Sequence, residues 1–205
     1  MRHKIDKMSL KKAYLIVILV LLVDQISKIY VKTHFMLDES VHVFSWFKIN
    51  FIENEGMAWG TKIPSWLGGK LTLTLFRIAA VGALGWWLWD SVKKHHSAYL
   101  ITAISLILAG AFGNIIDSVF YGIFFEHSVN QVATFNPSNA YGSLFEGKVV
   151  DMLYFPIIKN SEGFTMFFNA IFNIADSAIS IGVAILIIFN KKAFPKQEKD
   201  VVTEA

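Results

Sequence analysis

The sequence predicts an all-α membrane protein with four transmembrane helices, cytoplasmic N and C termini, and a small extracytoplasmic β-containing element. Three observations predict it. The 205 residues are 54% apolar and only 17% charged, against roughly 25% charged in an average soluble domain. Four stretches are apolar over the length a bilayer demands, about 20 residues as a helix. The basic residues gather at the ends of those stretches that share one side. This composition excludes a disordered, collagenous or ordinary soluble chain. The lack of cysteine excludes a disulfide framework, a thiolate nucleophile and a thiolate-held metal. The whole chain, 1–205, reads as one integral membrane domain.

The helices are expected over about 13–31, 71–89, 98–117 and 172–189, and none contains proline. Arg2, Lys4, Lys7, Lys11 and Lys12 precede the first helix. Lys93 and Lys94 join the second to the third, and Lys191, Lys192, Lys196 and Lys199 follow the fourth. The long connections, 33–70 and 118–171, hold only Lys48, Lys62, Lys70, Lys148 and Lys159. By the positive-inside rule both long connections face out. The first helix has a basic start but no small-residue cleavage site after it, so it reads as an uncleaved signal-anchor. In the first connection, Val41, Val43, Ser45, Phe47 and Ile49 alternate like a strand that ends near Phe51. Asn54-Glu55-Gly56 reads as a turn, and the run from Val149 to Ile157 as a second short strand. Residues 127–147, rich in Asn, Ser and Gly, read as a loop, and 196–205 as a charged tail.

Acids stand where the membrane disfavours them. A carboxylate near the centre of a span costs roughly 2.5–3.5 kcal/mol on insertion scales. Asp24 lies 12 residues past Lys12, roughly 18 Å along the helix, just beyond the midplane. Asp117 ends the third helix, Asp176 opens the fourth, and Asp151 lies in the second outer connection. All four fall in the outer half or at its edge. Asn114-Ile-Ile-Asp117-Ser118 and Asn173-Ile-Ala-Asp176-Ser177 repeat one pattern. The i to i+3 spacing places each Asn and Asp on one helix face, where an amide can orient a carboxyl. Helix-packing polar pairs are the plainer alternative. Asp24 can pair with Lys28 at i+4. Arg77 reads as a snorkelling residue, and the six tryptophans as an aromatic belt.

Other chemistries lack their residues. There is no His-Glu-x-x-His, no Gly-x-Ser-x-Gly and no phosphate-cradling loop. Neither a metal nor a cofactor is therefore expected. Aspartates gathered at one depth remain. Two carboxyls about 3 Å apart share a proton, so that one activates water and the other protonates the carbonyl oxygen or the leaving amine. The repeated context favours Asp117 with Asp176 as that pair.

Five landmarks in order resemble the lipoprotein signal peptidase (signal peptidase II) family of membrane aspartyl proteases. They are Val23-Asp24-Gln25-x-x-Lys28, Asn54-Glu-Gly56-Met-Ala58-Trp59, Gly113-Asn114-Ile-Ile-Asp117, Val149-Val-Asp151-Met and Phe172-Asn173-Ile-Ala175-Asp176-Ser177. The resemblance extends over about Lys12 to Phe189. It implies Asp151 and Asp176 as the catalytic pair, with Asp117 in a supporting role beside Asn114. Asp24, Lys28, Asn54, Gly56, Asn114, Asn173 and Ala175 would orient the pair or hold substrate.

The implied reaction is endoproteolytic cleavage of a prolipoprotein just before its diacylglyceryl-modified cysteine. The implied partners are such prolipoproteins and membrane lipids, with no nucleic acid. The implied place is a bacterial inner membrane, with the site toward the periplasmic face. Two departures stand out. Ser118 occupies a position where the family usually has Arg, and 34 residues separate Asp117 from Asp151 where the family usually has a short turn. The rival reading is a small proton- or ion-coupled transporter with Asp24, Asp117 and Asp176 as a relay.

Overall fold

The computed structural model describes residues 8–55, 69–159, 165–167 and 169–195. Helix α1 covers Leu10–His34 and starts on Ser9, whose side chain accepts the N–H of Lys12. Helix α2 covers Gly69–Lys93. Helix α3 covers Ala98–Ile116 and starts on the Ser97 cap. Helix α4 covers Ile174–Ile188. By length and composition, α1, α2 and the helix that begins with α3 are able to cross a membrane. The fourth is apolar but has only 15 residues.

Helix α1 has the burial pattern of a chain whose solvent is lipid. Ile18, Leu22, Ile26 and Ile29 face outward, Ile26 at 66% exposure, while Asp24 and Lys28 are both at 0%. A soluble helix would show the reverse.

Two expected helix boundaries are corrected. The third helix does not end at Asp117. It continues as a π-helical turn over Asp117–Tyr121 and then as α-helix over Gly122–Phe124. The reason lies in the segment read as a loop over 127–147, which folds back on this extension. The N–H groups of Phe145, Gly142, Asn136 and Tyr141 donate to the carbonyls of Val119, Gly122, Phe124 and Phe125 at 2.9–3.0 Å. Chain replaces water as the partner of those terminal carbonyls. Phe135 stacks on Phe124, and Glu126 accepts side-chain hydrogen bonds from Thr134, Asn136 and Asn139. The other correction concerns the start of the fourth helix. Phe172 belongs to a strand, and Asn173 is the cap rather than a helical residue.

The expected single strand from Val41 to Phe51 is a hairpin. Its arms are β1, Ser40–Phe44, and β2, Phe47–Asn54, which pair antiparallel. Strand β3, Val149–Tyr154, follows as the sequence suggested. Short strands β4 (Ile158–Lys159) and β5 (Thr165–Phe167) form a separate ladder. Strand β6, Ile171–Phe172, completes a four-stranded antiparallel sheet in the order β1-β2-β3-β6. The sheet thus ends at the start of α4 and carries Asp151 in β3. Gly56 and the charged tail at 196–205 lie outside the described residues.

Two apolar clusters bracket this junction. One gathers Ala13 and Val17 of α1, Leu88 of α2, and Ile101, Ile104 and Leu108 of α3. The other gathers Val31, Phe51, Tyr121, Phe125, Val150 and Met152. On α1, Asp24 and Lys28 fall between them. Helices α3 and α4 approach closely because glycines line the seam. A Cβ on Gly110 would collide with the carbonyl of Ala175, and one on Gly182 would lie 2.8 Å from the carbonyl oxygen of Ala103. Backbone cannot yield as a side chain can. Gly110→Val is therefore expected to lower stability by about 1–3 kcal/mol or more. Gly82→Val, with open space around its Cβ, should be nearly silent. Unfolding of both variants in detergent checks the contrast.

Candidate active site

Lys28 is the hub of the buried polar groups. Its Nζ lies 2.9 Å from Asp24 Oδ2 and 2.8 Å from Asp117 Oδ2, and it donates to Asn114 Oδ1 at 2.9 Å. An ammonium has three protons, and three acceptors take them. Gln25, beside Asp24, donates from Nε2 to Asp117 Oδ1 at 2.9 Å and to Asp24 Oδ2 at 3.0 Å. Its carbonyl accepts the Tyr121 hydroxyl. Asp117 also accepts the N–H of Val150, which ties the third helix to β3. Asp24 Oδ1 accepts the N–H of Ala175 at 2.9 Å. That amide belongs to the first turn of α4, where backbone donors have no helical partner. Gly113 permits this approach, since a Cβ there would lie 2.7 Å from Asp24 Oδ2.

Asparagines hold the other two acids. Asn173 caps α4: its Oδ1 accepts the N–H of Asp176 at 2.9 Å, and Asp176 Oδ2 accepts the N–H of Asn173 at 3.4 Å. This capping box leaves Asn173 Nδ2 to donate to Asp151 Oδ1 at 2.7 Å. Asn114 Nδ2 donates to Asp176 Oδ1 at 2.8 Å. Asn54, at the end of β2, donates from Nδ2 to Asp151 Oδ2 at 3.3 Å. The repeated Asn-Ile-x-Asp-Ser pattern therefore does two jobs. At 114–117 it is helix interior, and at 173–176 it is a cap.

The four acids consequently have different surroundings. Asp24 and Asp117 each form an ion pair with Lys28 and are fully buried. Asp151 and Asp176 receive amide hydrogen bonds, and Asp176 is partly exposed. Burial, and then the neighbouring Asp176, push the Asp151 carboxyl up to about 7, against the hydrogen bond from Asn54, the field of Lys28 and the hydrogen bond from Asn173. A carboxyl that keeps its proton near neutrality beside a second acid suits general acid–base work. Arg77, on α2, lies within the field of Asp176. Ser118 turns its hydroxyl back to the carbonyl of Asn114.

A family model described as "Signal peptidase (SPase) II" matches residues 16–191. The chain belongs to the signal peptidase II family. A lipoprotein signal peptidase of Porphyromonas gingivalis (strain W83) is 45% identical over 185 residues, covering 84% of this chain and 80% of that protein. Another, of Amoebophilus asiaticus, is 33% identical over 198 residues, covering 91% and 80%. A bacterial membrane enzyme solved by the in meso method at 2.3 Å superposes with a TM-score of 0.66 at 27% identity, over 97% of this chain and 99% of that one. The chain is thus a membrane-embedded bacterial protease. The family offers no support for the transporter reading.

The structure brings together Asp24, Lys28, Asn54, Asn114, Asp117, Asp151, Asn173, Ala175 and Asp176. Gly56 lies outside the described residues. Gln25 belongs to the first landmark but has no role assigned from the sequence, and the structure joins it to Asp24 and Asp117. Losing the hub cation would strand two buried carboxylates. Lys28→Met is expected to cost about 3–5 kcal/mol. Adding Asp117→Asn should recover part of that loss. Denaturant unfolding of both variants in the same detergent measures it.

Proposed function

We propose that this protein is an aspartyl endopeptidase that removes the signal peptide from diacylglyceryl-modified prolipoproteins, cutting just before the lipidated cysteine. The observation that carries the reading is the pair Asp151 and Asp176. Both are held by side-chain amides from Asn54, Asn114 and Asn173, and burial together with Asp176 raises Asp151 to about 7. The family and its relatives' names supply the substrate class.

In this reading the two carboxyls share one proton. The ionised one takes a proton from a water molecule as its oxygen attacks the scissile carbonyl carbon. The protonated one gives its proton to the carbonyl oxygen. Collapse of the tetrahedral species breaks the C–N bond, and a proton passes to the leaving amine of the cysteine. The products are a signal peptide with a free carboxylate and a lipidated N-terminal cysteine. Asn54 and Asn173 fix the two oxygens of Asp151, and Asn114 fixes Asp176. Asp24, Lys28 and Asp117 tie together α1, the third helix, α4 and β3 around these residues.

The same reading places the chain in the bacterial inner membrane with four spans and both termini cytoplasmic. Lysines at both helical ends support this, because the positive-inside rule puts them in the cytoplasm. The dyad then opens toward the periplasmic leaflet, where the cysteine-linked acyl chains of a substrate lie. The outward apolar faces of the helices suit those chains and bulk lipid alike.

Asp151→Asn and Asp176→Asn should each abolish cleavage of a diacylglyceryl-modified prolipoprotein in detergent while the protein stays folded. Wild type should cleave with EDTA present. Asp117→Asn should impair cleavage less. An active Asp151→Asn with a dead Asp117→Asn would return the dyad to Asp117 and Asp176. The pH dependence has a definite sign. Asp151 holds its proton below about 7 and loses it above, so kcat/KM should fall as pH rises through that value, as a property of the pair. Asn54→Ala removes a hydrogen bond that favours the charged form. Its alkaline limb should therefore move to higher pH.

A further inference from the structure

A second buried charged cluster lies one helical turn beyond Lys28. Lys32 is fully buried. Its Nζ lies 2.6 Å from Glu53 Oε1 and donates to Ser128 Oγ at 3.0 Å. Ser128 Oγ donates in turn to the same Glu53 oxygen at 3.1 Å. Lys148 Nζ approaches the other oxygen of Glu53 at 3.5 Å. The Lys32 ammonium also sits over the ring of Tyr141, 4.9 Å from its centroid. Three distant parts of the chain meet at this carboxylate. They are α1, the end of β2, and the segment between the third helix and β3.

Ion pairs buried in this way contribute little net stability, and their best-attested use is to set a register. The register in question is next to the dyad. Glu53 precedes Asn54, which donates to Asp151 Oδ2. The β2–β3 ladder is irregular between Ile49 and Ile52 and resumes only at Ile52↔Asp151, Glu53↔Val150 and Asn54↔Val149. Neighbouring side chains on a strand project to opposite faces. A pinned Glu53 therefore fixes the rotation of the strand about its own axis, and with it the direction in which Asn54 points.

We propose that Lys32, Glu53 and Ser128 form a positioning clamp that holds Asn54 on Asp151 and couples the inserted segment to catalysis. The clamp rests on the dyad proposed above. Among the described residues none of the three hydrogen-bonds to a dyad carboxyl, so they are positioning residues.

The test is steady-state cleavage of a diacylglyceryl-modified prolipoprotein by Glu53→Gln, Ser128→Ala, Asn54→Ala and the Glu53→Gln/Asn54→Ala double variant. Lys32→Met/Glu53→Gln is added because it removes both buried charges together and so leaves neither stranded. The clamp predicts that Glu53→Gln and the charge-free pair lower kcat by up to about a hundredfold with KM unchanged, as small misplacements do. It predicts that Glu53→Gln costs less than about twofold once Asn54 is already Ala, since the effect runs through that residue. Losses that multiply in the Asn54→Ala background would overturn the clamp, as would wild-type kcat in Lys32→Met/Glu53→Gln. Asp151→Asn is run alongside. If it cleaves, the dyad itself is overturned; if it is dead while the losses multiply, the clamp alone falls.

Discussion

Polar groups inside an apolar helix bundle must be satisfied by one another, because no water is at hand to do so. Lys28 is where this constraint concentrates. Its three protons go to Asp24, Asp117 and Asn114, so one side chain joins α1 to the third helix. The consequences propagate through amide orientation. With its carbonyl end turned to Lys28, Asn114 must present its NH2 to Asp176. Asn173 uses its carbonyl end to cap α4 and so presents its NH2 to Asp151. The placement of the candidate dyad is thereby set by the orientation of two amides.

This arrangement divides four acids into two kinds. Asp24 and Asp117 share one buried cation and serve as mechanical ties, one to the first turn of α4 and one to β3. Asp151 and Asp176 are steadied by amides, which orient an oxygen without supplying a full opposite charge. Burial and the neighbouring Asp176 push the Asp151 carboxyl up in that setting. Ser118 brings no charge to this junction, and the field of Lys28 reaches Asp151 from α1.

Much of this was legible in the sequence. The apolar helices followed from composition and counting, and the structure gathers the four acids at one junction. The choice between Asp117 and Asp151 was not legible from the residues alone. The repeated Asn-Ile-x-Asp-Ser pattern pointed to Asp117, and only the family resemblance pointed to Asp151. Periodicity cannot tell a helix cap from a helix interior, which is why residues 114–117 and 173–176 looked equivalent. The extension of the third helix was hidden because its terminal carbonyls are satisfied by a polar segment distant in sequence. Lys32 was hidden for a similar reason: its partners Glu53 and Ser128 lie 21 and 96 residues away.

The most direct test of the account is the binding of a lipidated lipobox peptide whose scissile amide is replaced by a hydroxyl-bearing isostere. A tetrahedral hydroxyl placed between two carboxyls that share a proton mimics the attacking water, and transition-state mimics bind far more tightly than ground-state ones. The account predicts that the hydroxyl peptide binds wild type at least about a hundredfold tighter than the matched peptide without the hydroxyl. It predicts that this advantage disappears in Asp151→Asn and in Asp176→Asn. Equal affinity of the two peptides for wild type, or an advantage that survives both substitutions, would contradict it.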